Sequence, residues 1–177
     1  MQLFLQNGDE NRVESKSFVT GERFLLLGSY YTLEIRKSDS RAGTVGLVED
    51  HLVVFVRTNA DQAKEVQDAL LGWYRKQAQV WILRRVHYYQ NIMNESVGRI
   101  TLKNQKTRWG SCSSARNLNF NWRLVMAPIE VLDYVVVHEL CHLKQMNHSK
   151  AFWNEVEKVL PDYGIRKKWL DKQRISL

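Results

Sequence analysis

The chain is poor in the residues that staple or punctuate a fold: two cysteines, two prolines and nine glycines in 177 residues. Two cysteines, Cys112 and Cys141, argue against a disulfide scaffold, and both are expected to be reduced thiols. There is no glycine- or proline-rich linker, internal repeat or low-complexity stretch. The length therefore suits one domain or one and a half, with enough chain to bury a proper core. No apolar run approaches about eighteen residues, and Met1 to Arg12 lacks the basic start and long apolar stretch of a secretory signal. The expectation is a soluble cytoplasmic protein with no membrane partner. A glycine-rich phosphate loop of the P-loop kind is also missing.

Charge is unbalanced. Twenty-six Lys and Arg against nineteen Asp and Glu leave +7, which raises nucleic acid or another polyanion as a partner. The densest basic groups are Arg84 with Arg85, and Arg166, Lys167, Lys168, Lys172 and Arg174, with Tyr88, Tyr89 and Trp169 nearby. Solvated helix faces account for these equally well.

Histidine is scarce too, five in all, yet His138, His142 and His148 fall within eleven residues, the first two in the run H-E-L-C-H. On a helix, residues four apart share a face with Cβ atoms about 5–6 Å apart, so His138 and His142 can grip one ion. Glu139 is rotated by about 100° around the axis and can reach a metal-bound water without ligating the metal. Three neutral imidazoles leave a fourth tetrahedral position to water, the arrangement of a catalytic zinc site. A closed structural site would more often recruit thiolates. The plain alternative is a helix whose histidines sit half-exposed beside Glu139 and Lys144. His51 and His87 read as surface or helix-face histidines.

The flanking residues suit a helix from Pro128 to about Asn147. Pro128 fits the first turn, and Glu130 and Asp133 complement the positive end of the dipole. Val131, Leu132, Tyr134, Val135, Val136 and Val137 make it apolar nearly all round, hence buried. Asn147 is a plausible stop that would turn the chain back and bring His148 to the metal. Ser149 can then cap a following helix, with Phe152, Trp153, Val156, Val159 and Leu160 at helical spacing until Pro161. Phe152 and Trp153 read as core packing.

Upstream, polar and apolar residues alternate from Thr107 to Trp122, with turn signals at Gly110 and at 115–117, which suggests a hairpin whose edge could take an extended peptide. Trp109 and Trp122 read as core aromatics. Earlier still, Phe24–Leu27, Tyr30–Ile35 and Leu52–Val56 read as strands. A long helical pattern runs from about Ala60 to Met93, capped by Asn59, with Leu70, Trp73, Tyr74, Ala78, Trp81, Ile82 and Val86 on its apolar stripe.

T-R-W-G-S-C at 107–112, Leu118 with Asn119, Pro128, D-Y-V-V-V-H-E-L-C-H at 133–142, N-H-S-K-A-F-W at 147–153, Pro161 with Tyr163, and Trp169 with Leu170 follow one another in the chain. In this order they resemble the YgjP-like metallopeptidase family, a relative of the SprT-like and other gluzincin-type H-E-x-x-H zinc peptidases. The resemblance implies Zn2+ at His138, His142 and His148, with Glu139 as general base. The metzincin pattern is rejected, because Gln145 stands where that pattern has glycine and no later Met-turn follows. The chain departs from the family at its N-terminus, where about twenty mostly polar residues precede G-E-R-F-L-L-L-G at 21–28.

Together these readings give an α+β fold: an N-terminal antiparallel β segment over 1–59, then a zincin-like metallopeptidase domain over 60–177 comprising the long helix and a core built on the H-E-x-x-H helix. The leading function is a zinc-dependent peptidase in which Glu139 activates a zinc-bound water against a peptide carbonyl. The oxyanion-stabilising residue stays open among Tyr134, Arg108 and Asn147. Two alternatives remain: a metal-dependent nucleotide pyrophosphatase of the UTP type, and a non-catalytic zinc-containing module that binds polyanions. An intact Glu139 weighs against the latter. The substrate sequence and the oligomeric state are not legible.

Overall fold

A computed structural model describes residues 16–58, 62–105 and 107–172, and its first regular feature is a tight hairpin. Between β1 (Arg23–Leu26) and β2 (Ser29–Lys37), Leu27 and Gly28 stand at φ 48° and 80°, the left-handed pair of a two-residue hairpin loop. Its tip reaches far along the chain. Leu27 N–H donates to the Val125 carbonyl at 2.7 Å and Gly28 N–H to that of Met126 at 3.2 Å. A Cβ on Gly28 would lie 2.9 Å from Pro128 Cα, so only glycine lets the tip close on the start of the H-E-x-x-H helix.

β3 (Val45–Val48) and β4 (His51–Val56) complete a four-stranded sheet in the order β1-β2-β4-β3. The expected antiparallel arrangement holds for β1/β2 and β3/β4 but not at the centre. There β2 and β4 run parallel, with Thr32 opposite His51 and Lys37 opposite Val56. The chain crosses from β2 through a 3-10 turn at Asp39–Arg41 to the far edge, then returns as β4 between the two. Alternation tells which face a residue takes, not the direction of its neighbour, so the sequence does not show this. Leu52, Val53, Val54 and Val56 are buried on both faces of β4, as suits a central strand with a parallel neighbour.

The long helical pattern is a single helix, α1 (Gln62–Met93). The expected cap, Asn59, and Ala60 lie outside the described residues. Val66, Leu70, Tyr74, Ala78, Ile82, Val86, Tyr89 and Met93 are buried at steps of four or three, one continuous stripe. Trp73 and Trp81, expected on it, flank it and are only partly buried. The stripe packs on β4, on the 3-10 turn Trp122–Met126 and on the H-E-x-x-H helix, and Tyr74 donates its hydroxyl to the Leu25 carbonyl at 2.7 Å. One buried cluster therefore runs from Phe24 and Leu33 through α1 to Phe120, Val136 and Phe152. Among the described residues no helix is long and apolar enough to cross a membrane.

β5 (Ile100–Lys103), β6 (Gly110–Cys112) and β7 (Leu118–Asn121) form a second sheet in the order β5-β7-β6. β6 and β7 are the expected hairpin, with Gly110 opposite Phe120, and β5 joins β7 in parallel. Buried Asn121 ties the loop before β6 in place by donating to the carbonyls of Gln105 at 2.7 Å and Arg108 at 3.2 Å.

α2 (Ile129–Cys141) carries H-E-L-C-H. Every residue from Val131 to Val137 is buried, including Asp133, expected only to complement the dipole. Its carboxylate instead accepts from Arg85 Nε at 2.5 Å, Arg85 Nη2 at 2.8 Å and the Tyr89 hydroxyl at 3.1 Å, which locks α2 against α1 by a bidentate pair. α2 also ends earlier than expected. Asn147 is not its stop and has no positive φ. The helix closes at Cys141 in tightened turns, with Leu143 N–H bonded to the Leu140 carbonyl and Lys144 N–H to that of Cys141. α3 (Lys150–Val159) starts where expected, the Ser149 hydroxyl accepting from Phe152 N–H at 3.4 Å, and α4 (Tyr163–Lys172) follows.

Candidate metal centre

His138 lies in the last turn of α2 and His142, four residues on, caps its C-terminus, and the short connection that follows carries His148 back over them. The three Nε2 atoms converge: His138 to His142 is 3.3 Å and His138 to His148 is 3.0 Å. Three nitrogens bound tetrahedrally at Zn–N of about 2.0–2.1 Å stand about 3.3 Å apart, so the rings are spaced to share one ion. Among the described residues these three form the cluster able to hold a metal, and His51 and His87 stay outside it. His142 Nδ1 lies 3.0 Å from the Gln145 carbonyl. That carbonyl accepts from Nδ1–H and leaves the Nε2 lone pair facing its neighbours. Burial, followed by the neighbouring His142 and His148, drives His138 down to about 3, and burial also lowers His142. Both rings are neutral near pH 7, as ligands must be.

Beneath the rings lies Phe152, fully buried, its centroid 4.9 Å from His138, 4.5 Å from His142 and 4.8 Å from His148. Beside them a stack of rings runs from His148 to Trp153 at 5.8 Å, to Tyr163 at 5.3 Å and to Tyr134 at 6.5 Å, with interplanar angles of 25°, 16° and 16°. Tyr134 closes the circuit edge-on to His138 at 5.8 Å. Exposed His148 is thus held by aromatic faces rather than by a helix.

Glu139 is 4% exposed, and its Oε2 has no hydrogen-bond partner among the described residues. Burial raises its carboxyl to about 8. β6 passes directly over it, and a Cβ on Gly110 would fall 2.5 Å from Glu139 Oε1, so the strand approaches this closely only because position 110 lacks a side chain. A cavity of about 240 Å³ opens beside these groups, lined by Arg108, Trp109, Gly110, Tyr134, Val135, His138, Glu139, Lys167, Leu170 and Asp171. Donors, acceptors and apolar side chains share this lining, Glu139 among them.

The family model described as YgjP-like, metallopeptidase domain, matches residues 2–173. The chain belongs to the YgjP-like family. It is accordingly a metallopeptidase, and a family of that chemistry implies a divalent metal. Among curated proteins nothing matches this YgjP-like chain. Solved structures similar over part of it include two metallopeptidase zymogens. The metallopeptidase zymogen abylysin of Pyrococcus abyssi has a TM-score of 0.47 and 22% identity, covering 50% of this chain and 90% of its own. The zymogen jannalysin of Methanocaldococcus jannaschii has a TM-score of 0.43 and 28% identity, covering 51% and 91%.

All four residues singled out in the YgjP-like sequence, His138, Glu139, His142 and His148, meet at this centre. Of the three oxyanion candidates, Tyr134 and Arg108 line the cavity and Asn147 does not. Phe152, read as core, is fully buried and packs on the imidazoles, whereas Trp153, read likewise, is only partly buried and stacks on His148. Gly110, Lys167 and the Gln145 carbonyl were not picked out as site groups. Only the unusual T-R-W-G-S-C stretch hinted at the first. The basic groups are partly committed: Arg85 to Asp133, and Arg166 to Asp162 and the Glu130 carbonyl. Arg174 lies outside the described residues.

Proposed function

We propose that this chain is a zinc peptidase in which His138, His142 and His148 hold the ion and Glu139 is the general base. The observation that carries the reading is the convergence of three imidazole Nε2 atoms beside a buried carboxyl with an uncommitted oxygen. Three imidazoles fit zinc, and when bound the ion supplies a Lewis acid that lowers the pKa of water toward about 7. Glu139 takes a proton from the attacking water and hands it to the leaving amine. Burial raises the carboxyl to about 8 in the metal-free chain, and the charge of a bound cation would return it to the carboxylate that a base requires. Tyr134, 5% exposed, keeps its phenol protonated because burial pushes it well above its ordinary value. It is therefore a donor for developing negative charge on the scissile carbonyl, and Arg108 is a second. The polypeptide adds in extended form along β6, the edge strand of its sheet, where Gly110 keeps the backbone close to Glu139.

One observation favours a second reading. Arg108 and Lys167 at the cavity could hold phosphates of a nucleotide, although Asp171 opposes them there. The test compares wild type with Glu139→Gln, equally zinc-loaded, on casein-like polypeptide and on nucleoside triphosphates. Polypeptide cleavage that the variant loses supports the proposal. Triphosphate hydrolysis lost in the variant, with no polypeptide cleaved, overturns it in favour of a pyrophosphatase.

A further inference from the structure

A cavity of about 490 Å³ lies away from the metal centre, between α1 and β5. One wall is the helix surface at Arg75, Lys76, Gln79 and Leu83, and the other is the whole of β5 with Asn104 and Trp122. β5 is the edge of its sheet opposite β6. Leu118 N–H donates to the Arg99 carbonyl at 2.9 Å, and Ile100 stands opposite Leu118. In a parallel ladder of this register Thr101 and Lys103 turn their backbone groups toward β7. Ile100 and Leu102 turn theirs outward. Among the described residues no strand takes up those outward groups.

Charge in this groove is of one sign. Arg75, Lys76 and Lys103 are exposed, and none has an acidic partner among the described residues. Arg123, just behind, donates to Asn104 Oδ1 and lies over the Trp122 ring at 4.5 Å. Burial and the like charge of Arg75 hold Arg123 below its ordinary value. Four cations thus gather around a strand edge with no acidic side chain lining it. Apolar surface between them comes from Leu83, Ile100 and Leu102. Trp122 is 2% exposed, with Nε1 bonded to Asn104, so it offers no open ring for a nucleic-acid base to stack on.

We propose that this groove is a docking site for an acidic extended polypeptide segment, which pairs with Ile100 and Leu102 as an added strand and sets its carboxylates against Arg75, Lys76 and Lys103. An edge strand beside a helix supplies main-chain hydrogen bonds for affinity, and flanking side chains choose the sequence. Charge complementarity selects an acidic segment over a neutral one and speeds its capture. Because the groove is on the opposite edge of the sheet from β6, it holds a polypeptide without occupying the catalytic cleft. The proposal does not depend on the peptidase reading.

The test uses the full chain carrying Glu139→Gln, so that a bound peptide stays intact, and a fluorescent twelve-residue peptide alternating Glu with Val. Anisotropy is expected to show saturable binding, with a Lys–Val peptide inert. The pair Arg75→Glu and Lys103→Glu, both at exposed positions, is expected to weaken binding about tenfold or more. Amide exchange of Ile100–Lys103 in the unaltered groove is expected to slow on binding, a readout that needs no folded charge variant. No saturable binding up to millimolar peptide would overturn the proposal, as would equal affinity in a charge-reversed variant of unchanged circular dichroism. Protection confined to Gly110–Cys112 would place the peptide in the cleft instead. Oligothymidine binding more tightly through the same two charges would make the groove a nucleic-acid site.

Discussion

Replacing Glu139 by glutamine in the metal-free chain is expected to raise its stability, and more so as the pH rises. Burial lifts this carboxyl from 4.5 to about 8. A group whose folded value lies above its unfolded one binds more protons in the folded state, so stability falls as pH climbs through that window. Below about pH 4.5 the carboxyl is protonated in both states and costs nothing; above about pH 8 the full penalty stands. At 1.36 kcal/mol per unit, the cost is about 3 kcal/mol at pH 7 and about 5 kcal/mol above pH 8. Glutamine keeps the shape and removes the charge. For a chain of this length 1 kcal/mol moves Tm by about 2–4 °C, so the variant should melt on the order of 10 °C higher than wild type at pH 8. At pH 4.5 the two should coincide. Thermal unfolding followed by circular dichroism in chelator, from pH 4.5 to 9, reads the difference directly. Zinc should shrink it, because the cation's field favours the carboxylate. Melting curves that run parallel across the whole pH range in chelator would refute the buried, unpartnered state of Glu139.

Other substitutions probe how the centre is positioned. Gly110→Ala puts a methyl 2.5 Å from Glu139 Oε1 and should cut peptidase turnover about a hundredfold by moving the base, while zinc content by metal analysis stays the same. Trp153→Ala removes the face on which His148 stacks and should weaken zinc about tenfold in a competition titration; Tm of the metal-free chain should change much less. Arg85→Ala leaves Asp133 buried without its charge partner and should cost about 3 kcal/mol or more in denaturant unfolding. Asp133→Asn together with Arg85→Ala should recover part of that loss.

How much could be read from the sequence depended on where the signal resided. The H-E-L-C-H helix, the long α1 and the Ser149 cap were legible because their signals are local: ligand spacing, a four-residue stripe and one side chain bonding three residues on. β3 was missed because Gly46 interrupts it and Leu47 and Val48 stay exposed, leaving no alternating face to detect. β5 is four residues long and owes its existence to pairing with β7. The parallel centre of the first sheet is a matter of topology. The end of α2 was misplaced by six residues, from Asn147 to Cys141, because residues 143–147 suit a helix locally while the return of His148 and the Gln145 carbonyl on His142 hold the chain in turns. At the site, the three histidines and Glu139 carry their chemistry in their side chains and could be named. Gly110 matters only for what approaches it, and Phe152 only for the rings above it, so neither role exists before the chain is folded.

The proposed zinc peptidase requires His138, His142 and His148 together to hold the ion and Glu139 to serve it without ligating. Metal analysis of the purified chain beside His148→Ala and Glu139→Gln tests it most directly. About one zinc per chain is expected in wild type and in Glu139→Gln, and a large loss in His148→Ala. Zinc retained in full by His148→Ala, or lost from Glu139→Gln, would contradict it.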